Sequence, residues 1–272
     1  MADKLTKESH PHYENNPFFV VSNGITLLFN LARGVAILLL VVSILGLFSN
    51  SWSPSESNGS WENLMQLMGN WTATDWILAV GSISVILLAI MMVSALFGGV
   101  STYTSAQLVH DKKVELRVAF HEAFEHLWSY LWLQVIITVK VFLWMLLLIV
   151  PGVIMAVRYS LAGVAFFDEK KQLRGNAAIK ESLRLTNGAW ITTYASSTLF
   201  NILTLGAINS VVTTSANTVL YKQFDKLGDH KKPAAHWLSW VTLLLPAVFL
   251  AIILLLVIAI GIGIGLSGNH FS

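Results

Sequence analysis

Two cations stand where a cation is costly. Lys140 lies near the middle of LQVIITVKVFLWMLLL, and Arg158 follows Pro151 by seven residues in LLLIVPGVIMAVRYSLAG. A charge at the centre of a membrane helix costs roughly 2.5 to 3.5 kcal/mol on insertion scales, so such groups turn toward a bundle interior, water or a partner. The neighbouring apolar runs hold no Asp or Glu, which leaves carbonyls, Tyr159, Ser and Thr hydroxyls or an anion to satisfy the two cations. In one reading Arg158, assisted by Lys140 and Tyr159, takes an anionic group such as a lipid phosphate, because its planar donors match phosphate oxygens. In the other, both side chains snorkel or bond helix carbonyls.

The acids and histidines carry weaker signals. Asp168 and Glu169 adjoin Lys170, Lys171 and Arg174. Adjacent helix residues point in different directions, so this pair reads as an interfacial anchor among solvated charges before it reads as a shared metal or acid-base site. His110, His121 and His126, with Glu122 and Glu125, include imidazole and carboxylate at i and i+4, a workable zinc spacing. No HExxH is present, and a surface helix with a wet His and Glu face is the simpler account. The chain has no cysteine, Walker loop, GxGxxG turn or GxSxG elbow. The expectation is a protein without catalysis, cofactor or metal. The basic segments lack the fold signals of a nucleic-acid reader, so the expected partners are membrane lipids, anionic phospholipid above all, and not nucleic acid.

The elements that position these residues are apolar helices. Of 272 residues 55% are hydrophobic and 12% charged, with mean hydropathy +0.65, whereas soluble domains carry about 25% charge. Crossing the hydrocarbon takes about 20 apolar residues whose amides bond within their own helix. The fold class this predicts is all-α: a polytopic integral membrane helical bundle of about seven transmembrane helices. Residues 1–28 form a cytoplasmic segment with an interfacial helix. Residues 29–237 form a six-span core with spans near 29–48, 76–98, 128–150, 152–167, 189–205 and 207–224. Residues 238–272 add a seventh span and a short outer tail.

Two reversals are implied. The apolar stretch from Trp128 to Phe167 is about twice the slab thickness, and Pro151-Gly152 is the natural turning point, because proline breaks the ladder and glycine tolerates a tight turn. That places Lys140 about 16 Å and Arg158 about 10 Å from the turn, on adjacent antiparallel helices. A second turn near Leu205-Gly206-Ala207 puts the flanking lysine segments on one face, as the positive-inside rule prefers. The basic groups around Lys4, Lys112, Lys170 and Lys222 then face the cytoplasm. The connection from Ser49 to Asp75 holds Glu56, Glu62 and Asp75 but no Lys or Arg, and lies outside. The amino terminus is inside, the carboxyl terminus outside, and the location a cell membrane. VAFHEAF at 118–124 and AAIKESL at 177–183, which contains Glu181, share a helical pattern with Glu off the apolar face, and suggest a repeated unit of surface helix plus hairpin. Sequons at Asn58 and Asn70 matter only in a eukaryotic secretory route.

The segment LLLIVPGVIMAVRYSLAGVAFFDE, followed by AIKESLRLTNGAW and NTVLYKQFDK, resembles the bacterial integral-membrane family of YciC-like proteins and the membrane domain attached to some glycerophosphodiester phosphodiesterases. The likeness runs from about Ala119 to Lys226 and rests on Pro151-Gly152, Arg158-Tyr159, Asp168-Glu169, Glu181-Ser182, Gly188 and Leu220-Tyr221 in that order. It implies a six-span core of helical hairpins in the cytoplasmic membrane and does not imply catalysis, since phosphodiesterase chemistry in fused relatives belongs to a separate barrel. The last span departs from that pattern.

Function is thus expected to be non-enzymatic: binding or organising anionic lipid, or supporting a membrane assembly. The alternative is a transporter or channel for an anionic or amphipathic solute, with Arg158 and Lys140 on its path and ITTYASSTLFNILTLGAINSVVTTSANTV lining it or bonding between helices. An intramembrane lipid enzyme ranks last, since no acid, base and nucleophile converge in sequence.

Overall fold

The computed structural model describes residues 13–51, 65–66, 68–228, 230 and 232–268, and all regular structure among these is helical. The helices are α1 (Pro17–Leu31), α2 (Arg33–Ser51), α3 (Ala73–Val109), α4 (Leu116–Glu125), α5 (Leu127–Leu147), α6 (Ile149–Tyr159), α7 (Ala162–Phe167), α8 (Asn176–Leu185), α9 (Trp190–Leu203), α10 (Asn209–Leu227) and α11 (Trp237–Gly268). By length and composition, α3, α5 and the run 149–167 formed by α6 and α7 could each cross a membrane. Expectations resting on Lys4, Glu56, Glu62, the sequon at Asn58 or the tail beyond residue 268 lie outside the described residues.

Helix α3 sets the axis. Thr72 and Asp75 cap it reciprocally, each side chain bonding the other's backbone N–H. Its 37 residues extend about 55 Å, well beyond a bilayer's hydrocarbon thickness of about 30 Å. The first half, including Ile77, Leu78, Val85 and Leu88, is exposed, with Ile77 at 70%, whereas Val100, Thr104 and Leu108 in the second half are fully buried. The core gathers around that second half.

There α3 packs against α7 and α10, and α10 against α1 and α9. Gly24 permits the close approach of α1 and α10: a Cβ there would lie 2.4 Å from the Ser215 carbonyl oxygen. Val20, Val21 and Leu28 of α1 are fully buried, so the helix expected at the interface instead contributes a face to the core. Ala32 interrupts the expected first span, and Arg33 becomes the first residue of α2.

The α5 to α6 reversal falls at Leu148, whose backbone is extended (φ −159°, ψ 139°), three residues before the expected Pro151-Gly152 turn. Pro151 instead occupies the first turn of α6, where helix N–H groups lack intrahelical acceptors and proline loses nothing. Gly152 packs where α6 returns along α5: a Cβ there would sit 2.9 Å from Met145 Cα, although residues seven apart in a continuous helix are separated by about 10.5 Å. The expected span 152–167 is broken after Tyr159 into α6 and α7. The stretch 189–224 does divide into two helices, turning through 204–208 with Leu205 and Gly206 at positive φ. Helix α11 continues through Pro246 and packs on α9.

Candidate functional site

Three chain segments meet beyond the buried half of α3: its C-terminus, the exit from α7, and the C-terminal half of α10. Helix α7 ends at Asp168, where the backbone becomes extended. The Asp168 carboxylate is only 2% exposed. His110 Nε2 lies 3.0 Å from its Oδ1, the Tyr221 hydroxyl donates to Oδ2 at 2.8 Å, and the Lys170 N–H donates to Oδ1 at 3.1 Å. Burial pushes this carboxyl's pKa up, but the bonds from His110, Tyr221 and Lys170 outweigh burial and leave it below the usual value. The expected solvated anchor is therefore a buried tie between α3, α7 and α10.

Glu169 points elsewhere, as adjacent residues should. Gln107 Nε2 and Lys112 Nζ donate to its two oxygens at 2.5 Å each. Lys112, then Gln107, holds the Glu169 carboxyl below the usual range. Asp168 and Glu169 thus serve different partners and do not converge on one ligand.

A second layer follows. Lys171 Nζ donates to Glu181 Oε1 at 2.6 Å and to Asp225 Oδ1 at 2.5 Å, and lies 5.3 Å from the centre of the Tyr221 ring. Burial lowers the lysine's pKa, and the two carboxylates more than reverse that. Arg184 donates to both Glu181 oxygens, at 2.9 and 2.8 Å. With Lys171 assisting Arg184, Glu181 is lowered to about 2. Lys222 bonds both oxygens of Asp111, at 2.6 and 2.7 Å.

Around this network opens a cavity of about 380 Å³, lined by Val109, His110, Asp111, Asp168, Asp225 and four lysines, Lys170, Lys171, Lys222 and Lys226. Lys171 and Lys222 are paired, whereas Lys170 and Lys226 are exposed and their ammonium groups make no hydrogen bond or ion pair among the described residues. On the other side of Asp168 a cleft of about 510 Å³ is lined by residues including Glu122, His126, Glu169 and Arg174.

Lys140 and Arg158 each bond α8. Lys140 Nζ donates to Asn176 Oδ1 at 2.9 Å, and Arg158 Nη2 donates to the Leu183 carbonyl at 3.3 Å, so both are tied to α8 at points seven residues apart. Arg158 Nε is buried without a partner among the described residues. Ser182 Oγ donates back to the Arg158 carbonyl at 2.7 Å. Tyr159 is buried in the core. Ligand atoms of His121, Glu122 and Glu125 lie within 4.8 Å of one another, with His121 and Glu125 exposed on α4.

Of the residues in this network, Asp168, Glu169 and Glu181 stand out in sequence, and Tyr221 is marked by the family resemblance. The partners of Asp168 and Glu169, namely His110, Gln107 and Lys112, lie more than 50 residues away, and no local spacing assigns them.

A third opening of about 450 Å³ lies between α3 and α5, lined mainly by Met91, Ala95, Leu131, Val135 and Val139, with Ser94, Tyr130, Gln134 and Thr138 as polar groups. No family model, curated protein or solved structure matches the chain.

Proposed function

We propose that the chain is a non-enzymatic integral membrane protein that binds and organises anionic lipid in the cell membrane. The observation that carries this reading is the groove between α3 and α5, which opens among the exposed apolar residues of both helices. Its α3 wall continues into the exposed apolar half of that helix, so a lipid at the bilayer surface can rest the upper part of its acyl chains there. The preference for anionic headgroups comes from the opposite half of α3, where Lys113, Arg117, Lys170 and Lys226 are exposed and unpaired among the described residues. Juxtamembrane lysines and arginines attract anionic headgroups by about 1 kcal/mol each. In this reading α3 crosses the bilayer with Trp76 toward the outer face and Val109 toward the cytoplasm, the positive-inside orientation. The YciC-like resemblance supports the same location.

The transport alternative needs the Ser and Thr groups of α9 and α10 along a path. Several instead bond between or within helices. Ser101 and Thr214 share a 2.6 Å bond, Ser105 donates to the Thr214 carbonyl, and Thr193, Ser196 and Thr218 donate to carbonyls four residues back. That use of hydroxyls favours packing.

Native mass spectrometry in mild detergent, after incubation with an equimolar mixture of phosphatidylglycerol and phosphatidylcholine, tests the proposal. The natural chain retains phosphatidylglycerol preferentially, and the Lys170→Ala, Lys226→Ala double variant loses that preference while remaining folded. Equal retention of both lipids by the natural chain contradicts it.

A further inference from the structure

The run VFLWMLLLIVPGVIMAV at 141–157 carries no charge and is bounded by Lys140 and Arg158. Folded back at Leu148, its ends reach α8, where Lys140 meets Asn176 and Arg158 meets Leu183. Helix α8 also carries Glu181, Arg184 and an exposed Lys180 that has no partner among the described residues. A helix so charged lies at the level of headgroups and water, not in hydrocarbon. Its two bonds therefore fix the depth at which Lys140 and Arg158 sit.

From that level the loop does not reach far. Leu148 is eight residues from Lys140 and ten from Arg158, about 12 and 15 Å along the helices, against a hydrocarbon core of roughly 30 Å. We infer that α5 and α6 form a re-entrant hairpin, held at its base by the α8 collar, which inserts into one leaflet and returns to the side it entered. Leu146, Leu147, Leu148 and Ile149 at its tip are all exposed, Leu148 at 64%, and the partner they fit is the acyl region of a single leaflet. Two backbone amides at the tip are paired within the hairpin: the Leu148 N–H donates to the Trp144 carbonyl and the Gly152 N–H to the Leu148 carbonyl, which reduces the number left to satisfy in hydrocarbon. Pro151 has no amide proton to satisfy. The inference rests on the membrane reading of α3. It removes two of the seven expected crossings and preserves parity, so the termini stay on opposite faces.

The chain contains no cysteine, so single cysteines report without background. Thr72→Cys, Lys113→Cys and Leu148→Cys variants are expressed in cells and treated with a membrane-impermeant maleimide, in spheroplasts and in inverted vesicles. Residues 72 and 113 label from opposite faces, and residue 148 labels from neither. A bimane attached at 148 in detergent and then reconstituted is quenched more strongly by lipids spin-labelled near the acyl terminus than by lipids labelled at the headgroup. Labelling of residue 148 from the same side as residue 72 shows a full crossing and overturns the proposal. Labelling from the side of residue 113, or stronger headgroup quenching, shows a tip outside the hydrocarbon and overturns it equally. If residues 72 and 113 label from the same side, the membrane reading of α3 fails first.

Discussion

The two halves of α3 obey opposite rules. Beyond Ala95 the helix is surrounded by protein, and the polar groups at its end are tied to side chains from α7 and α10: His110 to Asp168, Gln107 to Glu169, Asp111 to Lys222. Before Ala95 its large apolar side chains touch little else in the chain and remain exposed. Exposed apolar patches on soluble monomers rarely exceed a few hundred Å². One half is held by specificity, because each buried polar group needs a particular partner. The other needs only an apolar solvent, and any apolar residue of similar size serves. Substitutions should therefore be costly in the first region and cheap in the second.

The largest difference is expected at Asp168. Asp168→Ala removes the acceptor for His110, Tyr221 and the Lys170 N–H, and should lower stability in detergent by about 3 kcal/mol or more, given about 1 to 3 kcal/mol for each buried group left unpaired. A thermal-shift measurement checks this, and an unchanged midpoint would mean that the carboxylate ties nothing. Next comes Gly24→Leu, which drives a side chain into the Ser215 backbone. Overpacking of this kind costs about 1 to 3 kcal/mol, and the same assay reads it.

The pH response is smaller and has a definite sign. Glu181 has its pKa lowered in the fold to about 2 by Arg184 and Lys171, while an unfolded glutamate titrates near 4.3. A depressed carboxylate contributes stability that is present above the unfolded value and is lost as pH falls toward the folded one. Stability of the natural chain should therefore decline between about pH 4.3 and 2. Glu181→Gln, which cannot ionise, should flatten that part of the profile; an identical slope would show that Glu181 is not responsible. The smallest effect is expected at the apolar end. Leu146→Ala, at an exposed tip position, should alter stability in detergent by no more than about 0.5 kcal/mol.

Apolar periodicity and charge placement made much of the helical architecture legible. Runs long enough to span reveal α3 and α5, and the lysine segments flanking 189–224 point to the turn near Gly206 between α9 and α10. The turn at Leu148 was not legible, because proline tolerates a helix's first turn as readily as a reversal, and nothing in LLLIVPGV separates the two. The core position of α1 was hidden for a related reason: PFFVVSNGITLLFNL suits either an interface or a protein neighbour, and Gly24 declares itself only once Ser215 is beside it. At the candidate site, Asp168 was visible as a residue but not as a buried one. Its neighbours Glu169, Lys170 and Lys171 look solvated in sequence, and only the approach of Tyr221 and His110, more than 50 positions away, removes Asp168 from water.

The central claim is that the exposed half of α3 and the α5–α6 tip lie in lipid. Alkaline carbonate extraction of membranes from cells expressing the full chain tests it most directly, because the treatment strips proteins held by charge or by partner proteins and leaves those embedded in hydrocarbon. The chain is expected to remain entirely with the membrane pellet; recovery in the supernatant as a folded, detergent-free species would contradict the account.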